Sequence, residues 1–215
     1  MSLLSENRLL GALFPHKCPF CGKVLGGDAF GVCPDCVSSV KLCPRPAAEK
    51  GRYYGRGFAV YEYRDRVRRA LLSYKFSGKR ALGRFFGYKL SELIKEKGLD
   101  ADMLVCPPSF SKRRVSDRDH AQLLAKCVSR YSGIAFVNAL KRTAKRKPMY
   151  ELSPAERRAN IADSIGVRDP DAVRGKRILI VDDILTTGAT ADECARVLLE
   201  CGAVRADVIA AAARK

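Results

Sequence analysis

The chain has 215 residues, of which 47% are apolar, and this is enough for one medium-sized domain with a small appendage. Its 40 basic and 23 acidic residues give a net charge of +17, so we expect anionic partners: phosphorylated small molecules, nucleic acid or acidic surfaces. No apolar run approaches the ~20 residues of a membrane-spanning helix, and Met1–Phe14 lacks the features of a signal peptide. The composition therefore predicts a cytoplasmic protein without membrane insertion.

The N-terminal region predicts a short amphipathic helix within Leu3–Phe14, stopped by Pro15, and then a metal site. Two Cys-x-x-Cys pairs separated by eleven residues have the spacing of tetrahedral zinc sites. A redox or incidental pair would explain one such motif but not two. Thiols in the cytoplasm are reduced, so metal binding is favoured over disulfides. We assign a structural zinc ion to Cys18, Cys21, Cys33 and Cys36.

A linker from Pro44 to Gly51 leads into alternating strand and helix patterns. Tyr53–Tyr63, which contains a Gly-Arg-Gly, predicts a hairpin or two short strands. The later predicted strands are Asp102–Cys106, Phe136–Leu140, Ile165–Val167, Ile178–Val181 and Asp207–Ala212. The predicted helices are Val67–Phe76, Leu82–Ile94, Ala121–Tyr131, a capping-box helix from Ser153 to Asn160, and about Ala191–Cys201. The four cysteines predicted to lie in the core are Cys106, Cys127, Cys194 and Cys201.

Two basic segments are candidate anion sites. One follows the strand Asp102–Cys106, where the carboxyl end of a parallel strand is well placed for a diphosphate. Its candidate residues are Pro108, Ser109, Lys112, Arg113 and Arg114. The other is Lys141–Lys147, which predicts a mobile loop that either folds over an anionic substrate or stays solvated.

The stretch Ile178–Thr190 carries the clearest chemistry. A buried-strand pattern is followed by Asp182 and Asp183, where the strand is expected to end, and then by a hydroxyl-rich turn that opens a helix. Free N–H groups at a helix start suit a phosphate, whereas two carboxylates suit sugar hydroxyls or a divalent cation. The bland alternative is a strand, a polar turn and a helix cap. The whole arrangement favours a phosphorylated ribose.

These motifs, in this order, resemble the ComF family of late-competence proteins, in which a zinc module precedes a type I phosphoribosyltransferase domain. The resemblance rests on Leu13-Phe14-Pro15 before the cysteines, the Tyr-Lys-Phe-x-Gly stretch Tyr74–Gly78, the segment Leu152–Asn160 and the loop Ile178–Thr190. It implies an α/β fold with a parallel sheet flanked by helices. The implied domains are a zinc-binding module at residues 1–48 and a phosphoribosyltransferase-like domain at residues 49–215.

The resemblance also implies a ligand, 5-phosphoribosyl 1-pyrophosphate bound with Mg²⁺. Asp182 and Asp183 would be the catalytic acids that face the ribose hydroxyls, and Pro107–Arg114 would face the pyrophosphate. The residues implied to hold the 5′-phosphate are Leu185, Thr186, Thr187, Gly188, Ala189 and Thr190. The family role is linked to uptake of transforming DNA.

Three functions are consistent with the sequence. The first is transfer of phosphoribose to an unknown nitrogen nucleophile. The second is a sugar-phosphate sensor without turnover, because Asp117–His120 and Met149 depart from the family pattern on the acceptor side. The third is the handling of single-stranded DNA, or of DNA-uptake proteins, which the positive charge favours. The oligomeric state is left open, with a homodimer as one alternative.

Overall fold

A computed structural model describes residues 15–26, 30–43, 51–77, 79–109, 120–143 and 164–214 of the chain. The predicted helices within Leu3–Phe14 and Ser153–Asn160, and most of the predicted linker, lie outside these residues. The helices are α1 (Pro34–Ser39), α2 (Asp65–Ser77), α3 (Arg80–Glu96), α4 (His120–Ser132), α5 (Pro170–Val173) and α6 (Ala189–Glu200). The strands are β1 (Gly57–Glu62), β2 (Met103–Val105), β3 (Leu140–Arg142), β4 (Ile165–Val167), β5 (Arg177–Leu185) and β6 (Arg205–Ala213).

The main sheet has four strands in the order β1-β6-β5-β2, and every neighbouring pair is parallel. Strands β3 and β4 form a separate antiparallel pair. Parallel strands need crossover connections, and helices in the intervening segments pack on the sheet. The predicted class, a parallel sheet flanked by helices, is confirmed.

Strand β5 lies inside the sheet and is buried on both faces, as its continuous apolar pattern predicts. Ile178 and Ile180 pack into one core, which α6 and the β3–β4 pair cover. Leu179 and Val181 pack into the other core, which α2, α3 and α4 cover. Packing on both faces of β5 therefore fixes the point from which the following segment leaves the sheet.

The hairpin predicted in Tyr53–Tyr63 is wrong. The segment forms one strand, β1, which pairs with β6 rather than with a local partner. The residues before β1 make long-range bonds instead: the Tyr53 amide donates to Asp192 Oδ1 at 2.7 Å, and the Arg56 amide donates to Asp207 Oδ1 at 2.9 Å. These partners lie far along the chain, so a local pattern could not reveal them.

Two further strand boundaries differ from the sequence interpretation. Strand β5 continues through both acids to Leu185, because β6 is long enough to pair with it up to Ala213. The strand predicted at Phe136–Leu140 begins only at Leu140, and Phe136 makes an isolated parallel bridge to Leu104. Asp182 and Asp183 therefore belong to β5 itself, near the carboxyl end of the sheet, where backbone pairing with β6 fixes the strand.

The cysteine-bearing segment packs on the face of the sheet that α2, α3 and α4 cover. The ring of Phe20 makes edge contacts with Tyr61 and Phe85, at centroid distances of 5.4 and 5.6 Å. Leu42 forms an antiparallel bridge to Tyr61 beside β1. The cysteine-bearing segment and the sheet thus share one apolar core. The boundary predicted at residue 48 lies outside the described residues, so the division into two domains stays a prediction.

Within the described part of the chain, no helix combines the length and the apolar character needed to cross a bilayer.

Candidate functional site

The candidate site lies at the carboxyl edge of the parallel sheet. Strands β2 and β5 run side by side with Val105 opposite Ile180, so the segments that follow both strands emerge at the same edge. This register brings Asp182 and Asp183 to the level of Pro107–Ser109. Ligands of open α/β sheets gather at such edges.

The two acids form a tight, electrostatically unfavourable pair. Both are half-buried, and the Asp183 amide donates to Asp182 Oδ1 at 2.8 Å. Burial and the neighbouring Asp183 carboxylate raise the pKa of Asp182 from its ordinary 3.8 to about 7. The pair therefore carries negative charge that a cation or hydroxyl donors would stabilise.

Lys75, in the last turn of α2, supplies a cation to this pair. Its Nζ donates to Asp183 Oδ2 at 3.2 Å. Burial opposes the charge on Lys75, but the carboxylates of Asp183 and Asp182 outweigh it and raise the pKa of the ammonium. The sequence did not predict this contact with the acid pair, although Lys75 lies in the Tyr-Lys-Phe-x-Gly stretch that carries part of the family resemblance.

The turn after β5 has the geometry of an anion-binding helix start. Gly188 is the N-cap of α6 with φ of 73°, a left-handed conformation that favours glycine. Thr186 and Thr187 are exposed, and Thr187 Oγ1 accepts from the Ala189 amide at 3.4 Å. Beyond the Ala189 amide, the first amides of α6 have no partner within the helix and can donate to an anion.

Tyr54 supports this turn from the segment that precedes β1. Its side chain is buried, and a Cβ added to Gly188 would lie 2.7 Å from Tyr54 Oη. Asp192, one turn into α6, accepts from the Tyr53 amide at 2.7 Å and so fixes that segment to the same helix. Nothing in the sequence around Tyr54 signals this role, because its partners follow more than a hundred residues later.

Arg142 holds the segment after β2. Its Nη2 donates to the Pro108 carbonyl at 3.0 Å and its Nε donates to the Ser109 carbonyl at 3.1 Å. Arg142 lies in β3, so this part of the segment Lys141–Lys147 is a strand and not the mobile loop that the sequence predicted. The remainder of that segment beyond Thr143, and the candidate residues Lys112, Arg113 and Arg114, lie outside the described residues.

The four predicted metal ligands come together. The Sγ atoms of Cys18, Cys21, Cys33 and Cys36 all lie within 4.8 Å of one another, and those of Cys21 and Cys33 are 3.5 Å apart. Tetrahedral zinc with Zn–S bonds of ~2.3 Å needs sulfurs ~3.8 Å apart, so this cluster fits a zinc ion. Three of the four residues are buried, and Arg66 Nη1 donates to Cys36 Sγ at 3.5 Å.

The other cysteines stand apart from this cluster. Cys43 lies beside β1, where its amide donates to the Val60 carbonyl at 2.9 Å. Cys106 and Cys194 are buried in the core, as predicted, whereas Cys127 and Cys201 are only half-buried. Among the described residues, Cys18, Cys21, Cys33 and Cys36 are the group of thiols, imidazoles and carboxylates that could hold a metal ion.

Fold and site together define an α/β protein with a phosphoribosyl transferase domain and a four-cysteine cluster that could hold a metal ion. The phosphoribosyl transferase domain family matches residues 89–215, which is more than half of the chain. The chain is 30% identical over 192 residues to the competence protein ComFC of Bacillus subtilis (strain 168), covering 87% of this chain and 73% of that protein. It is 26% identical over 218 residues to the DNA utilization protein YhgH of Escherichia coli (strain K12), with 90% and 95% covered.

The chain therefore belongs to the ComF family, as its motifs predict. Among solved structures, an adenine phosphoribosyltransferase from Thermoanaerobacter pseudethanolicus aligns with a TM-score of 0.43 at 18% identity, covering 65% of this chain and 83% of that one. A glutamine phosphoribosylpyrophosphate amidotransferase from B. subtilis aligns with a TM-score of 0.42 at 21% identity, covering 60% of this chain and 26% of that one.

Proposed function

We propose that this protein binds 5-phosphoribosyl 1-pyrophosphate with Mg²⁺ at the carboxyl edge of its sheet and transfers the phosphoribosyl group to a nitrogen nucleophile. One observation carries the proposal. The half-buried pair Asp182–Asp183 is followed five residues later by Gly188, whose left-handed conformation begins α6. Hydroxyl-binding acids and a phosphate-binding helix start thus stand side by side, as a ribose 5-phosphate requires.

Each part of the site has a role in this proposal. The amides and hydroxyls of Thr186–Thr190 bind the 5′-phosphate, and Asp182 and Asp183 accept from the ribose hydroxyls. The pyrophosphate lies against Pro108 and Ser109, whose backbone Arg142 holds in place. Lys112, Arg113 and Arg114 add positive charge on that side. Mg²⁺ would neutralise part of the pyrophosphate charge.

The proposed reaction breaks the C1–O bond to pyrophosphate and forms a C1–N bond to the incoming nucleophile. The ribose passes through an oxocarbenium-like state, and its positive charge is stabilised by the nearby carboxylates of Asp182 and Asp183. Pyrophosphate leaves with both electrons of the C1–O bond. Most of the rate enhancement comes from holding the two reactants in line.

The first test is binding, measured by isothermal titration calorimetry on the full chain with 5-phosphoribosyl 1-pyrophosphate and Mg²⁺. We expect the double variant Asp182→Asn, Asp183→Asn to bind at least about 100-fold more weakly, because two charge-assisted acceptors are lost. The control is Asp171→Asn, an exposed acid on α5, which should bind like the wild type. Equal affinity in the double variant and the control would refute the proposed site.

A second candidate is a sensor that binds this sugar phosphate without turnover. One observation favours it: His120, which belongs to the segment that departs from the family pattern on the acceptor side, packs with its ring centroid 5.4 Å from that of Tyr74, and its carbonyl accepts from Tyr74 Oη at 2.7 Å. Those contacts give His120 a packing role. Release of pyrophosphate in the presence of a panel of bases and amines supports the transferase. Binding without release from any of them supports the sensor.

A third candidate is DNA handling in competence, which the names of the two relatives and the net charge of +17 support. Phosphate contacts make such binding strongly salt-dependent. We expect single-stranded DNA to bind at 50 mM salt and to lose at least about tenfold in affinity at 200 mM, in fluorescence anisotropy. Absence of binding at 50 mM salt would reject this role. We also propose a cytoplasmic location, since the metal site needs reduced thiols.

A further inference from the structure

The hydroxyl of Tyr54 is a buried polar group that lies at the start of α6. The residue is 3% exposed, and a Cβ added to Gly188, the N-cap of α6, would lie 2.7 Å from Tyr54 Oη. Among the residues that the structure describes, none donates to this hydroxyl or accepts from it. A buried hydroxyl that bonds to no protein group costs free energy, so a partner from outside the chain is expected.

The surroundings of this hydroxyl indicate that its partner is an anion. Free amides and the dipole of α6 favour negative charge at this point of the fold. The three terminal oxygens of a phosphate monoester offer more acceptor sites than the amides of one helix start fill. We propose that the Tyr54 hydroxyl donates a hydrogen bond to a phosphate monoester held at the start of α6, which makes Tyr54 a binding residue for that phosphate.

Close contacts with two glycines hold the ring of Tyr54 in place. A Cβ added to Gly51 would lie 2.5 Å from Tyr54 Cδ1, and one added to Gly188 would lie 3.4 Å from Tyr54 Cζ. The backbone at both glycines therefore lies directly against the ring. A donor that is fixed in this way is preorganised, so it loses little conformational freedom when it binds an anion.

The backbone around Tyr54 is bonded to α6 and to the sheet. Asp192 Oδ1, in the first turn of α6, accepts from the Tyr53 amide at 2.7 Å and from the Tyr54 amide at 3.4 Å. The Gly55 amide donates to the carbonyl of Ala206, in β6, at 2.9 Å. The segment before β1 is thus attached to both elements, and the hydroxyl keeps a constant position relative to the helix start.

The Tyr54 hydroxyl is a neutral donor at physiological pH. Burial, and to a smaller extent the carboxylate of Asp192, raise the pKa of Tyr54 above its ordinary 10.0. A bound phosphate would raise this pKa further, because its negative charge disfavours the tyrosinate. The phenol therefore keeps its proton and donates it to the acceptor oxygens of the anion.

The assignment of this anion to the sugar's 5′-phosphate rests on the proposed function. Tyr54 precedes β1, and in the order β1-β6-β5-β2 this strand and β2 lie on opposite sides of β5. The pyrophosphate is proposed to lie against Pro108 and Ser109, which follow β2. Tyr54 therefore acts on the 5′-phosphate and not on the pyrophosphate.

The test removes the hydroxyl and keeps the ring. Tyr54→Phe is compared with Tyr131→Phe, in which the changed ring belongs to a cluster with Phe30 and Tyr88 outside the candidate site. Calorimetry is carried out with ribose 5-phosphate, and with 5-phosphoribosyl 1-pyrophosphate and Mg²⁺. We expect Tyr54→Phe to bind both ligands about 10- to 100-fold more weakly, because a hydrogen bond to a charged group is lost. Tyr131→Phe should bind like the wild type.

Two further measurements distinguish a phosphate donor from a packing residue. The melting temperature of Tyr54→Phe should match that of Tyr131→Phe, because phenylalanine fills the same space and no bond within the described residues is lost. In ³¹P NMR spectra of the bound sugar pyrophosphate, Tyr54→Phe should shift the signal of the 5′-phosphate and leave the two pyrophosphate signals in place. Wild-type affinity in Tyr54→Phe, or equal shifts of all three signals, would overturn the inference.

Inorganic phosphate keeps this inference separable from the proposed function. If the sugar pyrophosphate binds equally to the wild type and to Tyr54→Phe, the proposed function stands and the role of Tyr54 fails. If the wild type binds neither sugar phosphate, the proposed function fails, and Tyr54 is judged by calorimetry with inorganic phosphate. Tyr54→Phe must then bind phosphate at least about fivefold more weakly than Tyr131→Phe. Equal binding, or no phosphate binding by the wild type, would refute the inference.

Discussion

The protein has two polar clusters, the four cysteines and the acid pair, and they differ in how many donor and acceptor groups remain accessible to a ligand. In the cysteine cluster the ligand sulfurs converge on one point, and the residues around it pack with Phe20 into the core. In the acid cluster the two carboxylates stand half-buried beside exposed Thr186 and Thr187. A closed cluster of this kind suits one metal ion, whereas an open one leaves acceptors and donors available to a ligand.

The same contrast holds for stability. When converging thiols bind a metal ion, the free energy of binding stabilises the folded state, because the unfolded chain has no preformed site. The acid pair works in the opposite direction, since burial and repulsion by Asp183 raise the pKa of Asp182 to about 7. At neutral pH we therefore expect the cysteine cluster, once it holds an ion, to stabilise the fold and the acid pair to destabilise it, as functional sites commonly do. Four changes test this difference.

The largest expected effect is the loss of a ligand in the closed cluster. Cys36→Ser removes one buried sulfur and the partner of Arg66. We expect a loss of about 5 kcal/mol in the free energy of unfolding and a melting temperature lower by about 10–20 °C. Calorimetry with a zinc assay would measure both.

Cys43→Ser is the matched control, because Cys43 lies outside the cluster and is half-buried. We expect this variant to keep its zinc and to lose less than about 1 kcal/mol. If Cys36→Ser unfolds at the same temperature as Cys43→Ser, the cysteine cluster contributes nothing to the fold.

Both clusters could be predicted from the sequence because each is encoded by residues close together in the chain. Cysteine spacing predicted which four thiols come together, and the order of strand, acids and hydroxyl-rich turn in Ile178–Thr190 predicted that the acids lie at the carboxyl edge of the sheet. Most helices and strands of the sheet were predicted within a few residues, since apolar periodicity reports burial directly.

The residues that contact the acid pair and the neighbouring loops could not be predicted, because their partners are distant in sequence. Lys75 meets Asp183, Tyr54 covers Gly188, and Arg142 holds the carbonyl of Pro108. None of these pairs follows from local spacing. The hairpin wrongly predicted in Tyr53–Tyr63 has the same cause, since β1 pairs with a strand near the end of the chain.

The second prediction concerns the turn that opens α6. In Gly188→Ala the new Cβ meets Tyr54 Oη at 2.7 Å, and the residue keeps a left-handed φ of 73°. We expect a loss of about 3 kcal/mol, of which about 1 comes from backbone strain and the rest from overpacking. Urea unfolding would measure it.

Gly98→Ala separates the two causes. Gly98 has φ of 55°, but an added Cβ meets nothing within 4 Å. This variant should lose only about 1 kcal/mol, from backbone strain alone. Equal losses in the two variants would show that Tyr54 yields freely and does not support the turn.

The third prediction is that Asp182→Asn stabilises the free protein at high pH. Because the folded pKa of about 7 lies above the ordinary 3.8, the folded state binds the proton more tightly and wild-type stability falls as pH rises between these values. An asparagine has no such dependence. We expect the stability of the variant relative to the wild type to increase by about 3 kcal/mol between pH 4.5 and pH 8.

Urea unfolding at the two pH values, with Asp171→Asn as the exposed control, would measure this effect. The sign is decisive: a variant that is less stable than the wild type at pH 8 would mean that the ionised Asp182 is favourably paired in the free protein.

The smallest expected effect is the pH dependence of ligand binding, which uses the same carboxyl group. Ionised Asp182 accepts from the ribose hydroxyls better than the protonated acid does, and Lys75, which faces Asp183, keeps its charge throughout. Affinity for 5-phosphoribosyl 1-pyrophosphate should therefore rise about tenfold between pH 6 and pH 8, as Asp182 ionises. The phosphates of the ligand titrate in the same range, so the rise is read relative to Asp182→Asn, in which only the ligand's own titration remains. If wild type and variant show the same slope in calorimetry, Asp182 does not contact the ribose, and the open cluster has a role other than sugar binding.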